Sequence, residues 1–334
     1  MKTIPVLLLI LVTAFAATAQ DSARARAKNF INQGDFANAV LVLNQALAAD
    51  EKNIELQKDL AFAYYLSRDY TRALAAAKPI TERNDADVQS YQILGMVYKA
   101  IEQRKEAERM YRIALRKFPE SGALYSEYGE VIWTRQGYIE AAKQWQKGIQ
   151  ADPNYPGNYY NASKYYFMTA DKVWGILYGE IFLNLESFSK RTPEIKTMLL
   201  EGYKKLFSET DMSKNQDTRN DFVKAFLEVM KAQSSIVAGG ITPDALSALR
   251  ARFILQWHEK YAAKFPYRLF DHHRQLASEG IFDAYNQWIF GAANDLAAFQ
   301  RWCANNAEAY SKFTNFQKNR VFKLPQGQFY QNRR

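Results

Sequence analysis

Alanines occupy positions Ala39, Ala73, Ala107 and Ala141, a spacing of 34 residues held without insertion. Other columns keep the same interval. Ala46, Ile80, Ala114 and Gly148 follow seven residues later, and Ala27, Ala61, Gly95 and Gly129 precede them. Large side chains recur three residues after that first small column, at Phe30, Tyr64, Tyr98 and Ile132. Phe36, Tyr70, Arg104 and Tyr138 form a further column, and Pro119 and Pro153 close the third and fourth units. A fixed period of this length marks stacked supersecondary units, because one unit cannot bury both of its faces alone. Small residues permit close helix crossings, and large ones fill the gaps between neighbouring units. The pattern predicts two antiparallel helices per unit. It gives four clear units over about residues 20–153 and a fifth, degenerate one from Tyr155 to Ser187, where Gly175 and Ser187 stand in the alanine and proline columns.

These columns resemble the tetratricopeptide (TPR) family. Gly34-Asp35-Phe36 and Gln136-Gly137-Tyr138 are similar to its inter-helix turn, and Lys117-Phe118-Pro119 and Ala151-Asp152-Pro153 to its unit ending. The resemblance implies an all-α, TPR-type helical-hairpin solenoid with an inner surface lined by first helices. Counted through the register, the inward positions include Arg24, Lys28, Lys58, Phe62, Tyr65, Met96, Lys99, Glu130, Trp133, Tyr160, Lys164 and Phe167. The last ten of these are the expected partner-binding residues, suited to an extended peptide or a helix. One TPR subfamily grips a C-terminal carboxylate with a Lys/Asn/Asn/Lys/Arg set. The matching positions here carry Arg24, Lys28, Asp59, Gln89 and Ile93, which disfavours that mode.

Residues 1–19 read as a secretory signal peptide. Lys2 supplies the basic start, Ile4 to Ala17 the apolar stretch, and Ala17-Thr18-Ala19 a small-x-small cleavage site before Gln20. The apolar stretch falls short of the roughly 20 residues that cross a bilayer. A lipoprotein needs Cys as its first mature residue, and Gln20 stands there. The single Cys303 excludes an intrachain disulfide, so helix packing must supply the stability. These features lead to an expectation of a periplasmic or secreted protein, not a lipoprotein. The net charge of +9 comes from residues interleaved with acids, with no basic run of the kind nucleic-acid arms carry.

The period fades from about Arg191, while helical signals continue to residue 324 as a C-terminal helical domain (188–324). Thr192-Pro193-Glu194 predicts a helix start with Thr192 as N-cap, and Ile195, Met198, Leu199, Tyr203 and Leu206 form its stripe. Phe222, Phe226, Val229 and Met230 mark the next helix. Gly239-Gly240 breaks the chain, and Thr242-Pro243-Asp244 opens another helix bearing Leu246, Leu249, Phe253, Leu255 and Trp257. A last helical tract runs from Phe282 to Phe316, so three to five helices are expected here, followed by a polar, aromatic-bearing tail over 325–334. The stretches Trp174 to Glu186 and Ala284 to Ala293 also resemble uncharacterised TPR proteins of bacterial envelopes.

No catalytic, cofactor-binding or metal site emerges from the motifs. His272 and His273 are adjacent and diverge by about 100° on a helix, and His258 stands apart without a His-Glu-x-x-His pattern. Cys303 beside Trp302 reads as a buried small hydrophobe. No Walker loop, Gly-x-Ser-x-Gly or dinucleotide fingerprint occurs. The expected function is therefore an exported scaffold in the bacterial cell envelope that binds a protein or peptide without catalysis. The alternative is an enzyme of unknown class with its site in the C-terminal half and the repeats as a docking arm.

Overall fold

The computed structural model describes residues 22–331, and the leader expected over 1–19 lies outside them. The first helices of successive pairs are α1 (22–32), α3 (Ile54–Leu66), α5 (Val88–Ala100), α7 (Gly122–Thr134) and α9 (Pro156–Met168). Their partners are α2 (Phe36–Ala49), α4 (Tyr70–Glu82), α6 (Arg104–Lys117), α8 (Tyr138–Ala151) and α10 (Lys172–Leu185). Second helices start 34 residues apart from Phe36 through to Lys172. The fifth pair thus keeps the period after its small-residue columns have lapsed.

The chain forms two compact units divided between Arg135 and Gln136. The repeat pattern places its own boundary later, at 187/188. Helices α8 to α10 belong to the second unit because α10 packs on both α9 and α11 (Thr192–Ser208).

The first unit holds α1 to α7. Its core joins Ala27, Ala39, Leu43, Leu56, Leu60, Ala63, Tyr64, Ala73 and Val97. Ala61 and Ala107 are fully buried as well, which fits small residues at tight crossings. Gly95 shows why: a Cβ there would lie 1.9 Å from the Tyr111 hydroxyl oxygen. The aromatic column beginning at Phe36 is different. Phe36 and Tyr70 are half-buried, whereas Arg104 and Tyr138 are exposed. The turns repeat too. Gly34, Arg68, Glu102 and Gln136, 34 residues apart, all take positive φ.

The second unit is built around α10, where every residue from Lys172 to Asn184 is buried. Such a helix must be covered on all sides. Beyond α11 come α12 (Asp221–Ala232), a 3₁₀ turn (Ser234–Val237), α13 (Pro243–Lys260), α14 (Arg268–Ser278) and α15 (Phe282–Asn286). A π-helical stretch (Gln287–Gly291) leads into α16 (Ala292–Asn294), α17 (Leu296–Asn305) and α18 (Ala307–Asn319). The predicted tract from Phe282 to Phe316 is thus broken. Asp295 leaves helical geometry (φ −158°, ψ 110°) and its side chain caps α17. The elements are shorter and more numerous than the three to five expected.

Smaller differences have local causes. Thr192 is the first residue of α11 and not its cap; its hydroxyl donates to the Glu186 carbonyl and accepts from the Ser189 N–H. Leu255 is 71% exposed, because it lies off the stripe that buries Phe253 and Trp257. Cys303 is half-buried and not fully buried, on a helix with no buried residue. The 325–331 part of the expected polar tail does not stand clear: Tyr330 is 2% exposed and stacks on Phe222 at 4.8 Å. Among the described residues, no helix is long and apolar enough to cross a membrane.

Candidate partner-binding face

In the first unit the inward positions lie on α1, α3, α5 and α7; α3 packs on α5 and α5 on α7, and Arg24 ties α1 to α3. They form three columns that repeat every 34 residues: 24/58/92/126, 28/62/96/130 and 31/65/99/133. The first column is closed by internal partners. Arg24 reaches Glu55 and Asp59, each at 2.8 Å. Lys58, 2% exposed, binds Glu55 at 2.6 Å and Asp87 at 2.7 Å. Burial works to lower the pKa of this lysine, but hydrogen bonds and charge from Asp87 and Glu55 outweigh it and raise the value. Asp87 serves twice, since its other oxygen accepts the Ser90 N–H as the cap of α5. Ser126 is buried.

The second and third columns stay partly open. Phe62 and Tyr65 are half-exposed and stack at 6.3 Å. Met96 and Trp133 are half-exposed as well. Lys99 donates to Glu130 at 3.1 Å, bridging α5 and α7. Beside them is a group that spacing gave no reason to choose: Glu127. Gln92 and the Tyr111 hydroxyl each donate to it at 2.7 Å. Burial nonetheless raises its carboxyl above the usual range. The missing side chain of Gly95 makes room for that Tyr111 hydroxyl.

In the second unit, Tyr160, Lys164 and Phe167 share α9 but are engaged locally. Tyr160 and Lys164 both bind Glu194, at 2.5 Å and 2.7 Å. The Phe167 ring sits against Gly175, Gly179 and Gly202, at 2.6 Å from where a Gly202 Cβ would lie. Phe167 is a packing residue here. The basic members of the expected face are therefore paired, and what remains open on the first unit is aromatic and thioether surface around one ion pair.

Two models of the tetratricopeptide repeat match the chain, one over residues 30–95 and one over 94–158. The chain carries tetratricopeptide repeats. Repeats of this family are protein- and peptide-binding modules. No curated protein matches the chain. Among solved structures, MamA is 20% identical, covering 48% of this chain and 94% of its own at a TM-score of 0.40. MamA from Desulfovibrio magneticus RS-1 is 15% identical, covering 51% and 94% at 0.39. YrrB, a TPR protein with an unusual peptide-binding site, is 15% identical, covering 55% and 90% at 0.38.

Beyond the repeats matched by the family, the second unit gathers a polar cluster that no motif announced. Glu180 of α10 accepts from Arg250, from the Tyr285 hydroxyl at 2.9 Å, and pairs with His273 Nε2 at 2.7 Å. Arg250 also donates to Asn286, and Asn184 donates to the Tyr285 hydroxyl at 2.7 Å. Burial opposes ionisation of Glu180, but Arg250 and His273 hold its carboxyl down at about 2. Glu180 and Arg250 are each 2% exposed. The sequence did carry one trace of this cluster: Glu180 and Asn184, four apart, are polar positions in the otherwise apolar run from Val173 to Leu185. Next to it, His272 is buried among Tyr285, Phe316 and Phe322 with both ring nitrogens unpartnered, and burial pushes its pKa down to about 2.

Proposed function

We propose that the chain is an exported scaffold of the bacterial cell envelope, holding a protein partner on the first unit's repeat face and performing no catalysis itself. One observation carries the reading. Phe62, Tyr65, Met96 and Trp133 remain half-exposed on three neighbouring repeat helices, while the cations among them are paired. Aromatic and methionine side chains supply much of the binding energy at interfaces. The half-exposed Lys99–Glu130 pair among them would favour register over strength. A partner presenting apolar side chains fits this face better than a strongly acidic one.

Export is supported by Lys2, the apolar stretch and the Ala17-Thr18-Ala19 site. The envelope resemblance of Trp174 to Glu186 and Ala284 to Ala293 points to the same compartment. The enzymatic alternative needs polar groups converging on a space that a substrate can enter. Glu180, Arg250, His273 and Tyr285 do converge, but they bond one another and lie under the surface. Buried networks of this kind hold elements together.

The test is affinity purification from the native envelope with wild type and with Trp133→Ala/Lys99→Glu. The double variant should fold normally and lose the co-purifying partner. Full retention of that partner would reject the repeat face. Mass measurement of the mature N-terminus checks export: cleavage after Ala19 is expected, and a retained Met1 in envelope fractions would count against it.

A further inference from the structure

After α18 the chain runs without helix from Arg320 to Gln331 across the second unit. An extended segment makes no backbone hydrogen bonds of its own, so its N–H and C=O groups must find partners elsewhere. Here side-chain amides provide them. Asn154 accepts the Leu324 N–H at 2.8 Å and donates to the Leu324 carbonyl at 3.0 Å. Asn220 donates to the Tyr330 carbonyl at 2.7 Å, and the Gln328 side-chain oxygen accepts the Arg268 N–H at 2.6 Å. Three side chains anchor the segment: Phe322, Leu324 and Tyr330 are 7%, 5% and 2% exposed. The Tyr330 hydroxyl donates to the Pro266 carbonyl at 2.8 Å. Reading both backbone groups of one residue while pockets take chosen side chains is how proteins recognise extended peptides.

The fit is incomplete. A pocket of about 370 Å³, open to solvent on one face, lies beside the segment, lined by Ile149, Gln150, Pro153 and Tyr159 and by residues 324–329. The strap therefore leaves part of its groove to solvent.

We propose that this groove is a docking site for an extended segment of a partner protein, and that the chain's own residues 324–331 occupy it until that partner arrives. The matching segment carries an aliphatic residue for the Leu324 pocket and, six residues later, an aromatic hydroxyl for the Tyr330 pocket. Between them it places more apolar bulk than Pro325-Gln326-Gly327 supplies. A second copy of this chain is the less suitable occupant. Only Arg320 and Val321 link α18 to the buried Phe322, and two residues span about 7 Å. α18 is itself held, with Phe313 buried and Lys312 donating to the Glu279 carbonyl at 2.7 Å. Held at its α18 end, the strap cannot reach out as an arm. As a tethered ligand it competes at an effective concentration of about millimolar, so the partner's segment must bind better than the strap or be tethered nearby.

The full chain tests this with a fluorescein-labelled peptide of residues 320–331 and its Gln326→Leu form, read by anisotropy. Leu324→Ala/Tyr330→Ala loosens the strap and should bind the peptide at least about tenfold more tightly than wild type. Adding Asn154→Ala should reverse that gain. The Gln326→Leu peptide should bind about tenfold better than the native one, through apolar burial in the cavity. A folded Leu324→Ala/Tyr330→Ala chain that ignores both peptides overturns the proposal. So does a wild-type dimer that forms by exchanging straps. Hydrogen exchange on the wild type needs no variant: amides of 326–330 should open well before those of α10. Opening only together with α10 would make the strap fixed core and end the proposal.

Discussion

The two units solve the same problem, packing helices, in different ways. In the first, fully buried alanines such as Ala61, Ala73 and Ala107 sit at repeating small-residue positions, and its charges pair between neighbouring first helices. In the second, α10 is enclosed on every side, and a charge within it is answered from α13 and α14, 70 and 93 residues away. Stability in the first unit is thus a sum of neighbour terms. In the second it depends on distant parts arriving together. The same substitution should therefore act differently in each.

The widest gap is expected for ion pairs. Arg250→Met leaves Glu180 buried without its main counter-charge, a loss of about 3–5 kcal/mol. Lys99→Met removes a pair whose side chains are 32% and 42% exposed, and should cost less than about 1 kcal/mol. Urea unfolding of both variants reads the difference. Adding Glu180→Met to Arg250→Met should restore part of the loss, because no lone charge then remains buried. Equal, small effects in both units would mean the Glu180 network is no tighter than a surface pair.

Next in size is Ala107→Glu in the first unit. Added bulk at this fully buried crossing costs about 1–3 kcal/mol, and the desolvated carboxylate adds to it. Gly95→Ala should act through a different route, pushing the Tyr111 hydroxyl off Glu127. A thermal melt of Ala107→Glu that matches wild type would show the 34-residue register to be misplaced.

Much of the first unit was legible in this way, since one period fixed the helix starts and small-residue columns together. Charge pairing was not. Lys58 finds Asp87 only because that carboxylate also caps α5, which no inward column contains. Lys164 and Tyr160 share Glu194, which lies past the last repeat. The second unit hid more, because Glu180, Arg250 and His273 come from three separate helices with no common spacing. The expected polar, aromatic-bearing tail begins at Pro325, which leaves Phe322 and Leu324 on the helical side of the boundary. The strap's three anchors show only in the spacing of Phe322, Leu324 and Tyr330, which a short run cannot distinguish from chance.

The second unit should also respond to pH, with buried His272 and His273 opposed by Asp171. His272 has a folded pKa depressed from 6.5 to about 2, so the stability present above 6.5 is lost as pH falls. Asp171, at the start of α10, is raised from 3.8 to about 7 by burial and by the charge of Asp217. Its stabilising proton is fully present below 3.8 and is lost as pH rises through 7. Between pH 5 and 6 the Asp171 and His272 slopes are each about 1.4 kcal/mol per pH unit and oppose each other. His273, whose pKa burial also lowers, adds a slope of the same sign as His272, so wild-type stability should fall on acidification there, with Asp171 offsetting part of the loss. Asp171→Asn removes the opposing arm, so stability should then fall more steeply, by at least about 1 kcal/mol for each pH unit of acidification. A flat profile in Asp171→Asn would show that these histidines are not buried as described.

The smallest expected effect lies in the turns, and it favours the repeats. Gly34, Arg68, Glu102 and Gln136 occupy equivalent turn positions with φ of 77°, 62°, 57° and 67°. This left-handed region costs an L-residue about 1–2 kcal/mol. Glycine avoids that cost but loses about 0.5–1 kcal/mol more in chain entropy on folding. Glu102→Gly should therefore stabilise the first unit by up to about 1 kcal/mol. Its side chain is 81% exposed and meets Arg104 at 3.8 Å, a pair too open to offset the gain. Past the repeats, the second unit offers little such headroom: Gly240, Gly280 and Gly327 already fill its positive-φ positions, alongside Asn215, a residue type that tolerates this region. Differential scanning of Glu102→Gly should thus raise the first unit's transition, whereas Gly280→Ala should lower the second's. A Glu102→Gly protein that melts earlier than wild type would mean Glu102 contributes more to its turn than the backbone geometry shows.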